Sequence, residues 1–73
     1  MIDKQYLQNM PDSSPKRYET LILLAAGYSY RQISELREIS YNTVVRTLQD
    51  TRARVGARSD THLVHLAHQA GIL

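Results

Sequence analysis

The positions of serine and glycine divide the chain into segments that can each form one helix. Its three glycines, Gly27, Gly56 and Gly71, each follow a stretch that begins just after a serine and contains no other glycine. Serine is a preferred N-cap, and glycine readily adopts the left-handed conformation that ends a helix. A further segment opens with Ser29 and Gln32 at the spacing of a capping box. The predicted helices lie at residues 15–26, 30–37, 41–55 and 60–70.

Apolar side chains in these segments recur at the three- and four-residue spacing of helices that pack one face on a core. The predicted core positions are Tyr18, Leu21, Ile22, Leu24 and Ala25 in the first helix, Ile33 and Leu36 in the second, Val44, Leu48, Thr51 and Val55 in the third, and Leu63, Leu66, Ala67 and Ala70 in the fourth. No segment alternates with the period of a strand. The predicted fold class is therefore all-α with four helices, and the short link between the second and third helices predicts a steeply crossed helix-turn-helix pair.

Residues 1–13 are predicted to form a short N-terminal arm that precedes a single domain at residues 14–73. The end of this arm favours turn or extended backbone, because it combines proline, asparagine, aspartate and serine. Tyr6, Leu7 and Met10 leave an alternative open, since their spacing would let a short helical turn dock on the core.

Length and cysteine content exclude several classes of protein. A chain of 73 residues without cysteine has no disulfide and no thiolate metal site, so it needs regular helix packing or a partner subunit. It contains no phosphate-binding glycine loop and no catalytic motif, and we expect neither an enzyme nor a cofactor. No apolar run is long enough to span a membrane and the first residues do not resemble a signal peptide, so we expect a cytoplasmic protein.

Positive charge is concentrated in the middle of the chain. Residues 31–59 contain six arginines and three carboxylates, whereas residues 1–14 contain one lysine and two aspartates. Arginines beside a helix pair can meet the phosphates of double-stranded DNA when one helix enters the major groove. Arginines on solvated helix faces are also common in proteins that bind no nucleic acid, so charge alone leaves both interpretations open.

Five short strings outside the arm are similar to one known family. The most specific are I-S-Y-N-T-V at residues 39–44 and V-G-A-R-S at residues 55–59, and residues 15–21, 24–29 and 33–34 add further matches. Together they resemble the LuxR-type (GerE-like) helix-turn-helix domain. The resemblance implies a four-helix DNA-binding module of bacterial transcription regulators, whose third helix is the recognition helix and whose fourth contacts a second subunit.

The resemblance and side-chain chemistry together define the candidate DNA contacts. By position in the family pattern, these are Thr43, Val45, Arg46, Thr47 and Gln49 for the bases, and Ser29, Arg31 and Arg58 for the DNA backbone. Tyr41 and Asn42, at the exposed start of the same helix, complete the set. By its chemistry, Arg46 fits a guanine edge, Gln49 an adenine edge and Val45 a thymine methyl group.

Several residues depart from the family pattern, and two of them favour an alternative function. Arg37, Thr51 and Arg52 stand where the family prefers aliphatic residues. Val45 stands where the family usually has lysine, and the Asp50 carboxylate on the exposed face would repel phosphate. Val45 and Asp50 therefore favour a small interaction protein that pairs with a LuxR-type regulator through helix four and antagonises it.

The fourth predicted helix has a face that suits contact with a second copy. Thr61, Val64, His65 and His68 form this face, which has no formal charge at neutral pH. A two-fold contact brings each residue near its own counterpart, so an uncharged face favours a homodimer. His62, His65 and His68 recur every three residues, but no carboxylate completes a ligand set, and we expect no metal site, small-molecule ligand or membrane contact.

Overall fold

The computed structural model describes all residues from Met1 to Leu73 and contains helices only. The five helices are α1 (Lys4–Ser13), α2 (Pro15–Ala25), α3 (Tyr30–Arg37), α4 (Tyr41–Val55) and α5 (Asp60–Gln69). The all-α prediction is confirmed, and the four predicted helices are present as α2 to α5, with ends within one residue of those predicted. No helix has the length and hydropathy needed to cross a membrane.

Serine caps explain where the helices begin. Ser29 and Gln32 form the predicted capping box, in which the Ser29 hydroxyl accepts from the Gln32 N–H at 3.1 Å and the Gln32 side chain accepts from the Ser29 N–H at 2.9 Å. Ser40 and Ser59 each accept from the backbone N–H three residues further on. Ser14 begins α2 without such a bond, and a proline supplies the first helical residue there.

The core lies around α4, which contacts each of the other four helices. The ten buried apolar residues of the core are Leu7, Met10, Leu21, Ile33, Val44, Leu48, Val55, Leu63, Leu66 and Ala67. The inward stripe predicted for α4 is confirmed, including the fully buried Thr51, whose hydroxyl donates to the Thr47 carbonyl oxygen at 2.7 Å. This bond satisfies the only polar side chain in that stripe.

The predicted arm is instead mostly helix, so the chain has five helices and not four. Asp3 caps α1 by accepting from the Tyr6 N–H at 2.9 Å, and Leu7 and Met10 are completely buried. Pro11 lies near the end of α1, where its missing N–H removes one helical bond without ending the helix. The composition of this segment favours a turn, but the alternative left open by the spacing of Tyr6, Leu7 and Met10, a helical segment docked on the core, is confirmed, because burial of two large apolar side chains stabilises the helix.

Two predicted core residues are wrong. Ile22 and Leu36 are 40% and 57% exposed, because α2 and α3 turn neighbouring residues inward instead. In α2 that neighbour is the fully buried Thr20. Arg37 then covers the junction of α2 and α3, since its Nη1 donates to the Thr20 hydroxyl at 2.5 Å and its side chain is only 11% exposed.

The connection between α3 and α4 consists of three residues, Glu38 to Ser40. Glu38 has a φ of 56° and is the only residue other than glycine in the left-handed region. The Ile39 N–H donates back to the Ser34 carbonyl oxygen at 3.0 Å, which closes the end of α3. This tight turn sets the start of α4 beside the end of α3.

Candidate nucleic-acid interface

The face of α4 opposite the core presents polar side chains to solvent. Asn42, Arg46 and Gln49 are exposed, and their side chains make no hydrogen bond or ion pair within the protein. All three offer the donors and acceptors that contact base edges in the major groove. Tyr41 at the start of the helix is 51% exposed. The structure therefore brings Asn42, Arg46 and Gln49 together on one accessible surface. Tyr41 is exposed as well but lies on another side of α4, where its ring centroid is 6.2 Å from that of Tyr30.

The remaining candidates on α4 are more restricted. The Thr43 hydroxyl lies 2.7 Å from the Ser40 hydroxyl, within the cap of the helix. Val45 and Thr47 are half-buried, at the edges of the exposed face. A side chain at such an edge contacts a partner only when that partner approaches closely, so Val45 and Thr47 are less accessible than Asn42, Arg46 and Gln49.

Asp50 lies between two arginines. Its Oδ2 is 2.8 Å from Arg17 Nη2 and 3.0 Å from Arg54 Nε. Partial burial by itself raises the pKa of the Asp50 carboxyl, but the hydrogen bond from Arg54 and the charge of Arg17 outweigh it, so the net pKa is below its ordinary value. The expected repulsion of phosphate by this carboxylate is therefore opposed by two positive charges at contact distance.

Tyr6 of α1 holds these arginines from the other side. Arg17 Nη1 donates to the Tyr6 hydroxyl at 2.7 Å, and the Arg54 guanidinium lies 5.9 Å from the centroid of the Tyr6 ring. We call Tyr6, Arg17, Asp50 and Arg54 the open cluster. Sequence reasoning missed it, because only the four-residue spacing of Asp50 and Arg54 is visible without the fold.

A groove runs from the start of α2 to the first half of α4. Its volume is about 480 Å³, and its walls are Ser14, Pro15, Lys16, Arg17, Arg37, Ile39, Thr43 and Thr47. Three of these side chains are cationic and none is a carboxylate. The groove therefore forms a positive border along one side of the exposed face of α4.

The candidate backbone contacts lie at the start of α3 and in the connection between α4 and α5. Arg31 and Arg58 are exposed, and neither guanidinium has a partner in the protein. The Ser29 hydroxyl is exposed as well, but it already caps α3. Both arginine side chains are therefore available to an anionic ligand, whereas Ser29 offers mainly its remaining hydroxyl donor.

Tyr30 is a structural residue and not an exposed contact. Its hydroxyl donates to Asp60 Oδ2 at 2.5 Å, and Arg52 Nη1 donates to Asp60 Oδ1 at 2.5 Å. Burial, followed by the bond to Asp60, raises the pKa of Tyr30. We call Tyr30, Arg52 and Asp60 the closed cluster, because both carboxylate oxygens are used. It joins α3, α4 and α5, and it pairs the charge of the half-buried Arg52 with that of Asp60.

The outer face of α5 is the second exposed surface of interest. Thr61, His65 and His68 are exposed and Val64 is half-buried. A shallow cavity of about 250 Å³ runs along this face, lined by Leu24, Ala25, Asp60, Thr61 and Val64. His62 is turned away, since its Nδ1 accepts from the Arg58 N–H at 3.0 Å. No group of three or more histidine, cysteine or carboxylate side chains comes together in the chain.

No protein-family model, curated protein or solved structure matches this chain. The geometry of its own residues is thus the basis for assigning a function.

Proposed function

We propose that the chain is a sequence-specific DNA-binding transcription regulator of the LuxR type, with α4 as its recognition helix. The observation that supports this most is the exposed face of α4, where Asn42, Arg46 and Gln49 have no partner within the protein. Side chains of this kind in a row on one helix match the pattern by which helices distinguish base pairs.

The size of α4 suits the major groove. Its 15 residues extend for roughly 22 Å at the rise of an α-helix, and the groove of B-DNA is wide enough to admit such a helix. In that position Arg46 donates to a guanine edge and Gln49 bonds an adenine edge. Val45 offers its methyl groups to a thymine, in place of the phosphate contact that a lysine would make.

Cationic side chains border α4 on the surfaces that would face the DNA backbone. Lys16, Arg17 and Arg37 line the groove beside its first half, although Arg17 also pairs with Asp50 and Arg37 lies 3.8 Å from Glu19. Arg31 in the first turn of α3 and Arg58 between α4 and α5 have no partner within the protein. Arginine and lysine near phosphates displace condensed counterions, so affinity from these residues would fall steeply with salt. This charge distribution supports DNA as the partner of the α4 face.

We also propose that two copies pair through α5. Thr61, Val64, His65 and His68 form the contact, and a pair of recognition helices then meets half-sites about one helical turn apart. The alternative function, antagonism of another LuxR-type regulator through the same helix, requires little DNA affinity. One of its two arguments is weakened, since the Asp50 carboxylate is compensated by Arg17 and Arg54.

DNA binding is tested by selecting sequences from a random duplex library and measuring affinity for the selected site at two salt concentrations. Arg46→Ala is expected to lower affinity by about 1–3 kcal/mol with an unchanged melting temperature. Lys4→Ala is the matched control, because it removes a positive charge from the exposed face of α1. Equal affinity in wild type and Arg46→Ala, or selection of no site at all, contradicts the proposal.

Pairing is tested by sedimentation of wild type and Val64→Asp at neutral pH. We expect Val64→Asp to be monomeric, because the contact would bury two like charges near each other. Dimers that persist in Val64→Asp would place the contact on another face, and a wild-type monomer would favour pairing with a different regulator.

A further inference from the structure

One oxygen of the Asp50 carboxylate is saturated and the other is unused. Arg17 and Arg54 both approach Oδ2, at 2.8 and 3.0 Å, and no hydrogen bond in the protein is made to Oδ1. The Asp50 side chain is 44% exposed. A carboxylate needs several donors to be satisfied, so Oδ1 remains an acceptor directed to a ligand or to water.

This acceptor opens on the same surface as Arg46. Asp50 and Arg46 are one helical turn apart on α4, and both line an open cavity of about 300 Å³ together with Arg17, Thr43 and Thr47. No apolar side chain lines this cavity. A ligand that reaches Arg46 from solvent therefore also passes within reach of Asp50.

The two arginines remove the usual objection to a carboxylate near DNA. An isolated carboxylate is repelled by phosphates, whereas Asp50 with Arg17 and Arg54 has a net charge of one positive unit. The low pKa of Asp50 also keeps it an acceptor without a proton at neutral pH. The open cluster thus presents an acceptor inside a positive environment.

Among the major-groove edges, cytosine fits such an acceptor best. Its N4 amino group is a donor with no neighbouring acceptor on the same base, whereas guanine and thymine present acceptor oxygens to the groove. Adenine has an amino donor, but its N7 acceptor lies beside it and would face the carboxylate. Asp50 would therefore favour cytosine by attraction and disfavour the other three bases by repulsion.

We propose that Asp50 is a specificity-determining residue that accepts a hydrogen bond from a cytosine amino group, one turn of α4 beyond the base contacted by Arg46. This inference rests on the proposed DNA-binding function. Arg17 and Arg54 are positioning residues, because they fix the carboxylate through Oδ2 and neutralise it. Tyr6 positions Arg17 in turn, so α1 contributes to specificity without touching DNA.

The test is the same selection from a random library, carried out with wild type, Asp50→Ala, Asp50→Asn and Gln49→Ala. Wild type is expected to select a cytosine at one position of each half-site, and Asp50→Ala to lose that preference by about tenfold while other positions are unchanged. Asp50→Asn has nearly the same shape and is expected to accept adenine there, because its amide offers both a donor and an acceptor. Gln49→Ala is the control, since it should change a different position and keep the cytosine.

A second variant separates positioning from folding. Tyr6→Phe removes only the hydroxyl that Arg17 contacts, and we expect it to weaken the cytosine preference while the preference at the Arg46 position stays intact. If wild type and Asp50→Ala select the same site with the same cytosine, the inference is overturned while DNA binding stands. If wild type selects no site, the proposed function itself fails and this inference fails with it.

Discussion

The open and closed clusters use the same residue types on opposite sides of α4 but leave different groups unused. In the closed cluster, Tyr30 and Arg52 each take one oxygen of Asp60, so every acceptor is satisfied within the protein. In the open cluster, two arginines share one oxygen of Asp50 and the other oxygen faces solvent. The residue types of a tyrosine–arginine–aspartate cluster therefore do not show whether the cluster is structural or contacts a ligand. The number of acceptor atoms left without a donor distinguishes the two.

We expect the buried face of α4, and neither cluster, to hold the helix in place. Leu48→Ala tests this, because Leu48 is completely buried in the centre of that face. We expect it to lower the free energy of unfolding by about 2–5 kcal/mol in urea denaturation, more than any change in either cluster. An unchanged unfolding transition would mean that the polar contacts of the two clusters, and not the buried face, hold α4 in place.

The closed cluster should influence stability at alkaline pH. The pKa of Tyr30 is raised by burial and by Asp60, so above about pH 10 the unfolded chain releases this proton before the folded protein does. Stability contributed by the protonated phenol is present below that pH and is lost as the pH rises. We expect the free energy of unfolding of Tyr30→Phe to be about 0.5–1.5 kcal/mol lower than that of wild type at pH 7. This difference should be smaller at pH 11.

Tyr28→Phe is the control for this experiment, since Tyr28 is 41% exposed and makes no side-chain hydrogen bond. Its unfolding free energy should follow wild type at both pH values. A Tyr30→Phe variant whose difference from wild type is the same at pH 7 and pH 11 would show that the closed cluster does not couple to the phenol proton.

The open cluster should give the smallest effect, and only in acid. Because the pKa of Asp50 is below its ordinary value, the unfolded chain binds this proton first as pH falls. The stability from the ionised carboxylate is present above about pH 4 and is lost below it. We expect Asp50→Asn to be slightly less stable than wild type at pH 6 and to approach it at pH 3, measured by thermal unfolding. A large loss at pH 6 would make the open cluster structural as well.

The four helices α2 to α5 could be predicted because their starts and ends depend on neighbouring residues. A serine cap such as Ser40 and a terminating glycine such as Gly56 act within one turn of the helix, so the sequence alone contains the relevant information. The buried stripe of α4 could be predicted for the same reason, since 15 residues give four turns of regular spacing.

The features that the sequence does not predict depend on contacts between residues that are distant along the chain. The helical state of α1 follows from the burial of Leu7 and Met10 by other helices, which outweighs a composition typical of turns. Leu36 is exposed because the Arg37 side chain fills the junction of α2 and α3, where its guanidinium bonds Thr20. The eight residues of α3 are too few for the spacing of apolar side chains to indicate this. The unused oxygen of Asp50 follows from where Arg17 lies on α2, which no local pattern indicates.

The docking of α1 has a consequence for the order in which the chain folds. The Asp3 N–H donates to the Val55 carbonyl oxygen at 2.9 Å, so residue 3 meets the last residue of α4, 52 positions further along the chain. During synthesis α1 emerges before the other four helices and can meet α2 early, but its bond to Val55 waits until the ribosome has released that residue. Closing so long a loop costs entropy, which makes this a late step. Although α1 is made before α2 to α5, we expect it to be among the last of the five helices to be fixed, with Leu7 and Met10 incompletely covered until then.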